Sequence, residues 1–342
     1  MSEATPPADG ADAVLPFQLD RLDVRGRIAR LDGAIDTILS QHDYPPAISG
    51  LLAEATLLTV LIGQTMKLRD RFSIQARGKG AVTLLATDYF APRKEGDPAR
   101  IRAYAGYDKT AFAESGLEGL ALLGEGVMGV TIDQGSGQQP YQGITPLSGE
   151  TLADCMEIYF AQSEQIATRF AVTSAYASEP GRDPGWRAGG VVIQHMPKAS
   201  PLMPKDAPPG DAPSGTDGLM SAEDVAALGG VPDDWNTAAL KLATVEEHEL
   251  LGPHVAPDTL LLRLFHEDAP RVYAPQAVEF GCTCDEKALH DLLSSYGGDA
   301  LADMAENGHI VADCQFCGSH YAFALEDLAG EAESPGEEKE TP

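Results

Sequence analysis

Apolar and polar positions alternate along FQLDRLDVRGRIARL (Phe17–Leu31), a period of two that predicts an early strand. A helical pattern starts near Leu31 and breaks at Tyr44-Pro45-Pro46, where proline fixes φ and lacks an N–H. It resumes as one long helix over Ala47–Met66. Arg71–Phe90 then carries two β-rich runs joined across Arg77-Gly78-Lys79-Gly80, the signature of a hairpin. RIRAYAGYD, GVMGVTIDQ and PYQGITPL predict three more strands, Thr151–Val172 a helix, and Ala188–Pro197 another strand. Strands and helices follow one another without regular βα alternation. That order implies an α+β fold, with a mainly antiparallel sheet and packed helices, over residues 15–199.

Composition then changes. Residues 200–218 (SPLMPKDAPPGDAPSGTDG) are dense in Pro and Gly and lack periodicity, so they read as a flexible insertion. Helical patterns return over 219–276, a helical linker region. They include Ser221–Leu228, with Ser221 and Asp224 placed as an N-terminal cap, and Asp233–Gly252. Residues 277–328 form a small C-terminal module. Residues 1–14 and the acidic 329–342 have the composition of disordered ends.

The chain of 342 residues has a formal net charge of -28 and 43% hydrophobic residues. An acidic surface repels phosphate backbones and anionic lipids, so no nucleic-acid or membrane partner is expected. The apolar run Ala47–Gly63 is short for a membrane span and contains Glu54. The first residues have neither the basic nor the apolar segment of a secretory signal, and a cytoplasmic location follows. Gly124, Gly126 and Gly129 spell G-x-G-x-x-G, but β-like and turn-like sequence follows where a dinucleotide fold needs a helix, so they read as turn or bulge glycines. No acid/base pair, nucleophile–base set or phosphate loop points to an enzyme.

Four of the five cysteines lie in one stretch, as C-x-C (Cys282, Cys284) and C-x-x-C-G (Cys314, Cys317, Gly318). Reduced cytosolic thiols in pairs point to metal or redox chemistry. C-x-x-C-G turns both sulfurs toward one point, and the glycine tolerates the positive φ that follows. Asn307-Gly308 before the pair and HYAF after it predict a hairpin carrying this knuckle, with two short helices between the pairs. Four thiolates close a tetrahedral Zn2+ site, one per chain, and leave no open coordination position, so the metal is structural. His290, His309 and His320 flank the set without being needed as ligands. Oxidation removes the thiolate ligands, and disulfides within each pair need only local closure. Cys155, with Leu152, Met156, Tyr159 and Phe170, reads as an apolar helix face. Two other readings remain open: a thiol–disulfide oxidoreductase using Cys314 and Cys317, and a constitutive zinc-stapled interaction protein.

RLFHEDAPRVYAPQAVEFGCTC followed by CQFCGSHYAFALEDL closely resembles the C-terminal signature of the heat shock protein 33 family of redox-regulated chaperones. The resemblance extends to VRGRIARL, HDYPPAISGLLAEATLLTVLIG, SIQARGKGAVTLLATDY and YFAQSEQIATRFAV, and covers roughly Pro16–Leu328 except the Pro/Gly-rich segment. It implies an ATP-independent holdase, inactive while Cys282, Cys284, Cys314 and Cys317 hold zinc. Oxidation of the four cysteines then releases zinc, unfolds the helical linker and exposes apolar surface to unfolding client proteins. A homodimer of the oxidised form is also implied. Val245, Leu250, Leu251 and Leu260–Leu262 are apolar positions that a folded linker would hide. The insertion, the acidic tail and the strong negative charge depart from the family pattern.

Overall fold

The computed structural model describes residues 12–66, 68–135, 137–178, 183–196 and 233–328. The Pro/Gly-rich insertion, the helix expected at Ser221–Leu228, the acidic tail and most of the N-terminal segment lie outside them. Disorder was expected through residue 14, whereas Ala13 and Val14 already belong to the first strand, β1 (Ala13–Leu19).

The single strand expected over Phe17–Leu31 is a hairpin of β1 and β2 (Val24–Leu31). A short 3-10 turn at Asp20–Leu22 and a left-handed Asp23 reverse the chain between them. Alternation persists through both arms, so the pattern alone does not reveal the reversal. Next come β3 (Arg71–Gly78), β4 (Val82–Phe90), β5 (Ala99–Tyr107), β6 (Gly126–Asp133), β7 (Tyr141–Pro146), β8 (Thr168–Ala177) and β9 (Gly185–His195). With β10 (Arg271–Val272) and β11 (Gln276–Phe280) they form one sheet in the order β7-β6-β3-β4-β5-β11-β1-β2-β9-β8, with β10 added on β1. Every described pairing in it is antiparallel except β5 with β11. The fold is therefore mixed α+β.

Helix α1 (Gly33–Ser40) and helix α2 (Pro46–Gly63) cover one face of this sheet. Pro46 opens α2 at a position where its missing N–H costs nothing. The helix has the length and mean hydropathy (1.6) of a membrane span, yet 78% of that window is buried inside the protein. A helix that is apolar all round and buried in a protein core has this character. Helix α3 (Lys109–Ser115) is capped by Asp108, and helix α4 (Leu152–Tyr159) by a reciprocal Thr151–Asp154 box.

The helix expected over Thr151–Val172 is shorter. It passes into a π-turn at Phe160–Glu164 and stops at left-handed Gln165, after which Thr168–Ala177 pairs along its whole length with β9. Phe170 thus lies on a strand instead of on α4, and packs from there against the core that holds Leu152, Cys155, Met156 and Tyr159. Non-local pairing has overridden a local helical pattern here. Gly124 sits in a left-handed turn and Gly126 and Gly129 in β6, as turn and strand glycines.

The opposite face of β1, β2 and β9 is covered by α5 (Asp233–Leu242), α6 (Glu247–Leu251) and α7 (Pro257–Phe265). Phe17, Leu19, Val24, Ile28, Val191 and Ile193 from the sheet meet Trp235, Ala238, Leu242, Leu250, Leu260, Leu261 and Phe265 from the helices. Phe17 stacks on Phe265 with ring centroids 6.0 Å apart. Gly26 makes room for Phe17: a Cβ there would lie 2.1 Å from its ring. Gly26→Ala is therefore expected to push Phe17 into Phe265 and cost about 1–3 kcal/mol. Urea unfolding of the reduced protein measures it, and an unchanged midpoint would contradict this account of the packing.

Candidate metal centre

Strand β11 delivers the first cysteine pair. Its last residues pair with β5, Phe280 opposite Ile101, and the Gly281 N–H donates to the Ile101 carbonyl at 3.0 Å. Cys282 and Cys284 follow at once. The expected helices come next, α8 (Glu286–Ser294), capped by Asp285, and α9 (Gly298–Met304). The expected hairpin follows as β12 (His309–Asp313) and β13 (His320–Ala324), with α10 (Leu325–Leu328) closing the small core of Leu293, Leu301, Ile310, Phe323 and Leu328.

Cys314 and Cys317 occupy the turn between β12 and β13. The Gly318 N–H donates to the Cys314 carbonyl at 2.8 Å and the Cys314 N–H to the Ser319 carbonyl at 2.9 Å. Gly318 has φ +66°, the left-handed geometry that glycine adopts without strain. The knuckle is thus built by backbone hydrogen bonds and one glycine.

The sulfurs of Cys282, Cys284, Cys314 and Cys317 all lie within 4.8 Å of one another. Two contacts cross the pairs: Cys282 to Cys314 at 3.6 Å and Cys284 to Cys317 at 3.3 Å. Tetrahedral zinc with Zn–S bonds of about 2.3 Å requires sulfurs about 3.8 Å apart. The donor set therefore fits a metal ion, and its four soft sulfurs suit zinc among the common choices.

Burial pushes the thiols of Cys282, Cys284 and Cys314 up. Burial acts the same way on Cys317, but the Ser319 hydroxyl and backbone, with the Cys284 and Cys314 thiols, outweigh it and bring Cys317 down to about 6. The Ser319 hydroxyl is 3.1 Å from its sulfur. Tyr321 hydrogen-bonds Cys284, which raises the phenol to about 12.

Neighbouring groups complete the site. Arg102 on β5 donates to Thr283 Oγ1 at 2.8 Å, and its Nη1 is 3.9 Å from Cys282 Sγ. Its guanidinium also lies over the Phe316 ring, 4.0 Å from the centroid. Sequence reading missed Arg102, Thr283, Phe316, Ser319 and Tyr321. The spacing of Ser319 and Tyr321 from Cys317 is a usable signal, since a hairpin brings these positions back beside the turn. Arg102 has only a faint one, a charge alternating with apolar residues in RIRAYAGYD.

The flanking histidines lie outside the sulfur cluster. His290 packs edge-on to Phe323, His309 contacts the Asn307 carbonyl, and His320 pairs with Asp313 at 2.7 Å. Cys155 is fully buried in α4, where its thiol donates to the Ser148 carbonyl at 3.0 Å and burial pushes it up.

The model of the family described as Hsp33 protein matches residues 12–324 of this chain. The 33 kDa chaperonin of Caulobacter vibrioides is 36% identical over 318 residues, covering 91% of this chain and 94% of the relative. That of Pseudoalteromonas translucida is 31% identical over 320 residues, covering 93% and 97%. The crystal structure of the 33 kDa chaperonin (heat shock protein 33 homolog) from Thermotoga maritima shares the fold, with a TM-score of 0.68 at 19% identity over 93% of this chain and 96% of that one. Matched over nearly its whole length, with its four paired cysteines gathered at one point, the chain belongs to the Hsp33 chaperone family.

Proposed function

We propose that this chain is a cytoplasmic, redox-regulated holdase that works without ATP, binding unfolding client proteins instead of catalysing a reaction. The observation that carries the proposal is the apolar layer between β1-β2-β9 and α5–α7. The segment that forms this layer runs directly into β10, β11 and Cys282. Large buried side chains on both sides of that layer, among them Phe17, Ile28, Leu261 and Phe265, are what a holdase would present to a client.

Cys282, Cys284, Cys314 and Cys317 would hold one zinc ion, which when bound supplies a staple worth on the order of 10–16 kcal/mol to the small fold around it. A peroxide removes two electrons from each thiolate pair: a sulfur–sulfur bond forms, the O–O bond breaks, and with two protons the oxygens leave as water. Disulfides Cys282–Cys284 and Cys314–Cys317 consume two peroxides and leave no thiolate ligand. The small core of Leu293, Leu301, Ile310, Phe323 and Leu328 then lacks its staple. Its strain is passed through β11 to the α5–α7 layer, whose unfolding exposes the client surface and favours a homodimer.

The alternative thiol–disulfide oxidoreductase finds some support in the low value for Cys317. Its thiols, however, sit in a turn between two strands, without the helix N-terminus that activates such enzymes. Insulin reduction by the reduced protein separates the two readings.

The first test is light scattering of a heat-unfolding client with zinc-loaded reduced protein and with peroxide-oxidised protein, while released zinc is read in the same samples. Suppression only after oxidation, with about one zinc released per chain, is expected. Equal behaviour in the two states would sink the redox switch.

A second prediction concerns the covering layer. Phe265→Ala removes the ring stacked on Phe17 and weakens the layer by about 3–5 kcal/mol. The reduced, zinc-loaded variant is expected to gain part of the oxidised protein's holdase activity in the same assay. Leu262→Ala, at a position 56% exposed, is expected to gain none. A silent Phe265→Ala variant with a demonstrably weakened layer would show that clients bind elsewhere.

A further inference from the structure

Arg102 occupies an unusual position between the sheet and the sulfurs. Its Nε donates to Asp88 Oδ2 at 2.7 Å, and both side chains are nearly buried, at 13% and 8% exposure. Asp88 is itself fixed by the Ser73 hydroxyl on its other oxygen. From this base the guanidinium reaches outward to Thr283 and Cys282 of the first cysteine loop and lies over the Phe316 ring of the knuckle. It also faces the Phe90 ring, 5.3 Å from the centroid. Phe316 in turn meets Tyr104 edge-on at 6.4 Å. A single side chain anchored in β5 therefore touches both halves of the thiol cluster.

We propose that Arg102 is a latch that reads the state of the thiol cluster: with Asp88 beneath it and Phe316 above, it holds the Cys282–Cys284 loop and the knuckle on β5 while the sulfurs are thiolates, and loosens when they become disulfides. The proposal rests on the redox reading of the site. Four thiolates around one divalent ion leave two excess negative charges, and a guanidinium against Cys282 offsets part of that excess. Its N–H also draws charge from that sulfur and so slows attack by an oxidant, as partners of metal ligands do. Two disulfides carry no charge. After peroxide takes two electrons from each thiolate pair and is reduced to water, Arg102 keeps Asp88 but loses its electrostatic hold on the loop.

Lysine is a poor substitute. An ammonium keeps the charge, but it is a point donor that cannot span Asp88 and Thr283 as the planar fork does.

The test uses full-length, zinc-loaded, reduced protein. Zinc release after peroxide is followed with a chromogenic chelator, and amide hydrogen exchange is measured before and after oxidation. Arg102→Gln is expected to speed release on the order of tenfold and to raise exchange at Arg100–Tyr104 and Gly281–Cys284 in the reduced state. Arg102→Lys should fall between the two. After oxidation, parent and Arg102→Gln should exchange alike in these segments, because the latch is already open in both. Release at the parent rate, or an exchange difference that persists undiminished after oxidation, would overturn the proposal and leave Arg102 as ordinary scaffold.

If Arg102→Gln does not fold, Phe316→Ala removes the contact from the knuckle side and leaves the Arg102–Asp88 pair in place, and the same two outcomes decide. Neither readout involves a client, so failure of the holdase reading would show separately, in an oxidised parent that leaves aggregation unsuppressed.

Discussion

The pairing of Gln276–Phe280 between β1 and β5 determines where the four sulfurs lie. β11 runs antiparallel to β1 and parallel to β5, and it is the described strand that joins β7-β6-β3-β4-β5 to β1-β2-β9-β8. Its backbone is bound on both sides: the Val278 N–H donates to the Asp12 carbonyl at 2.8 Å, and the Gly281 N–H to Ile101. Val278 is 4% exposed and part of the α2 core. Buried backbone groups of this kind cannot lose their partners cheaply. The strand is therefore a firm attachment, and the residue after its final glycine is Cys282.

Register places two coverings on one side of this sheet. Ala99, Ile101 and Ala103 face the α2 core, so Arg100, Arg102 and Tyr104 face the other way. In β1 and β2 the same alternation sends Val14 and Ala29 to the α2 core and Phe17 and Ile28 to the α5–α7 layer. With Glu279 opposite Arg100 and Gln276 opposite Val14, the pleat is continuous through β11. The thiol cluster and the helical layer thus rest on the same outer face, one over β5 and the other over β1, β2 and β9. In the strand order β11 lies between β5 and β1.

The elements with strong local signals were legible in the sequence: α2 from its apolar run after Pro45-Pro46, β3 and β4 from the glycine-bearing turn, the knuckle hairpin from Asn307-Gly308, and α8 and α9 as short helices between the cysteine pairs. The cysteine cluster was legible because C-x-C and C-x-x-C-G are local spacings. What could not be read was non-local. Phe170 fits a helix pattern until β9 pairs with it, and residues 271–276 read as the end of a helical region until β1 claims Arg271, Val272 and Gln276. Arg102 was invisible as a site residue for the same reason. Nothing within reach along the chain announces Cys282, which lies 180 residues away.

The helical layer itself has little strength of its own. α5, α6 and α7 span 10, 5 and 9 residues, below the length of about 12–15 residues at which isolated helices become stable in water. They persist because the sheet buries their apolar sides, with few polar ties. Arg30, 3% exposed on β2, donates to the backbone carbonyls of Leu250 at 2.9 Å and Glu249 at 2.7 Å, and Lys241 meets Asp268 at 2.6 Å. An element sustained mainly by tertiary contacts is cooperative with its attachments. At the C-terminal end its attachment passes through β10, on β1, to β11 and the cysteines. The chain between the layer and Cys282 is thus a continuous, hydrogen-bonded path along β10 and β11, while on the opposite face Val278 of β11 packs into the α2 core. On the reading proposed above, loss of the sulfurs' hold would act first on the layer, whose short helices have the least strength of their own, and last on the sheet beneath it.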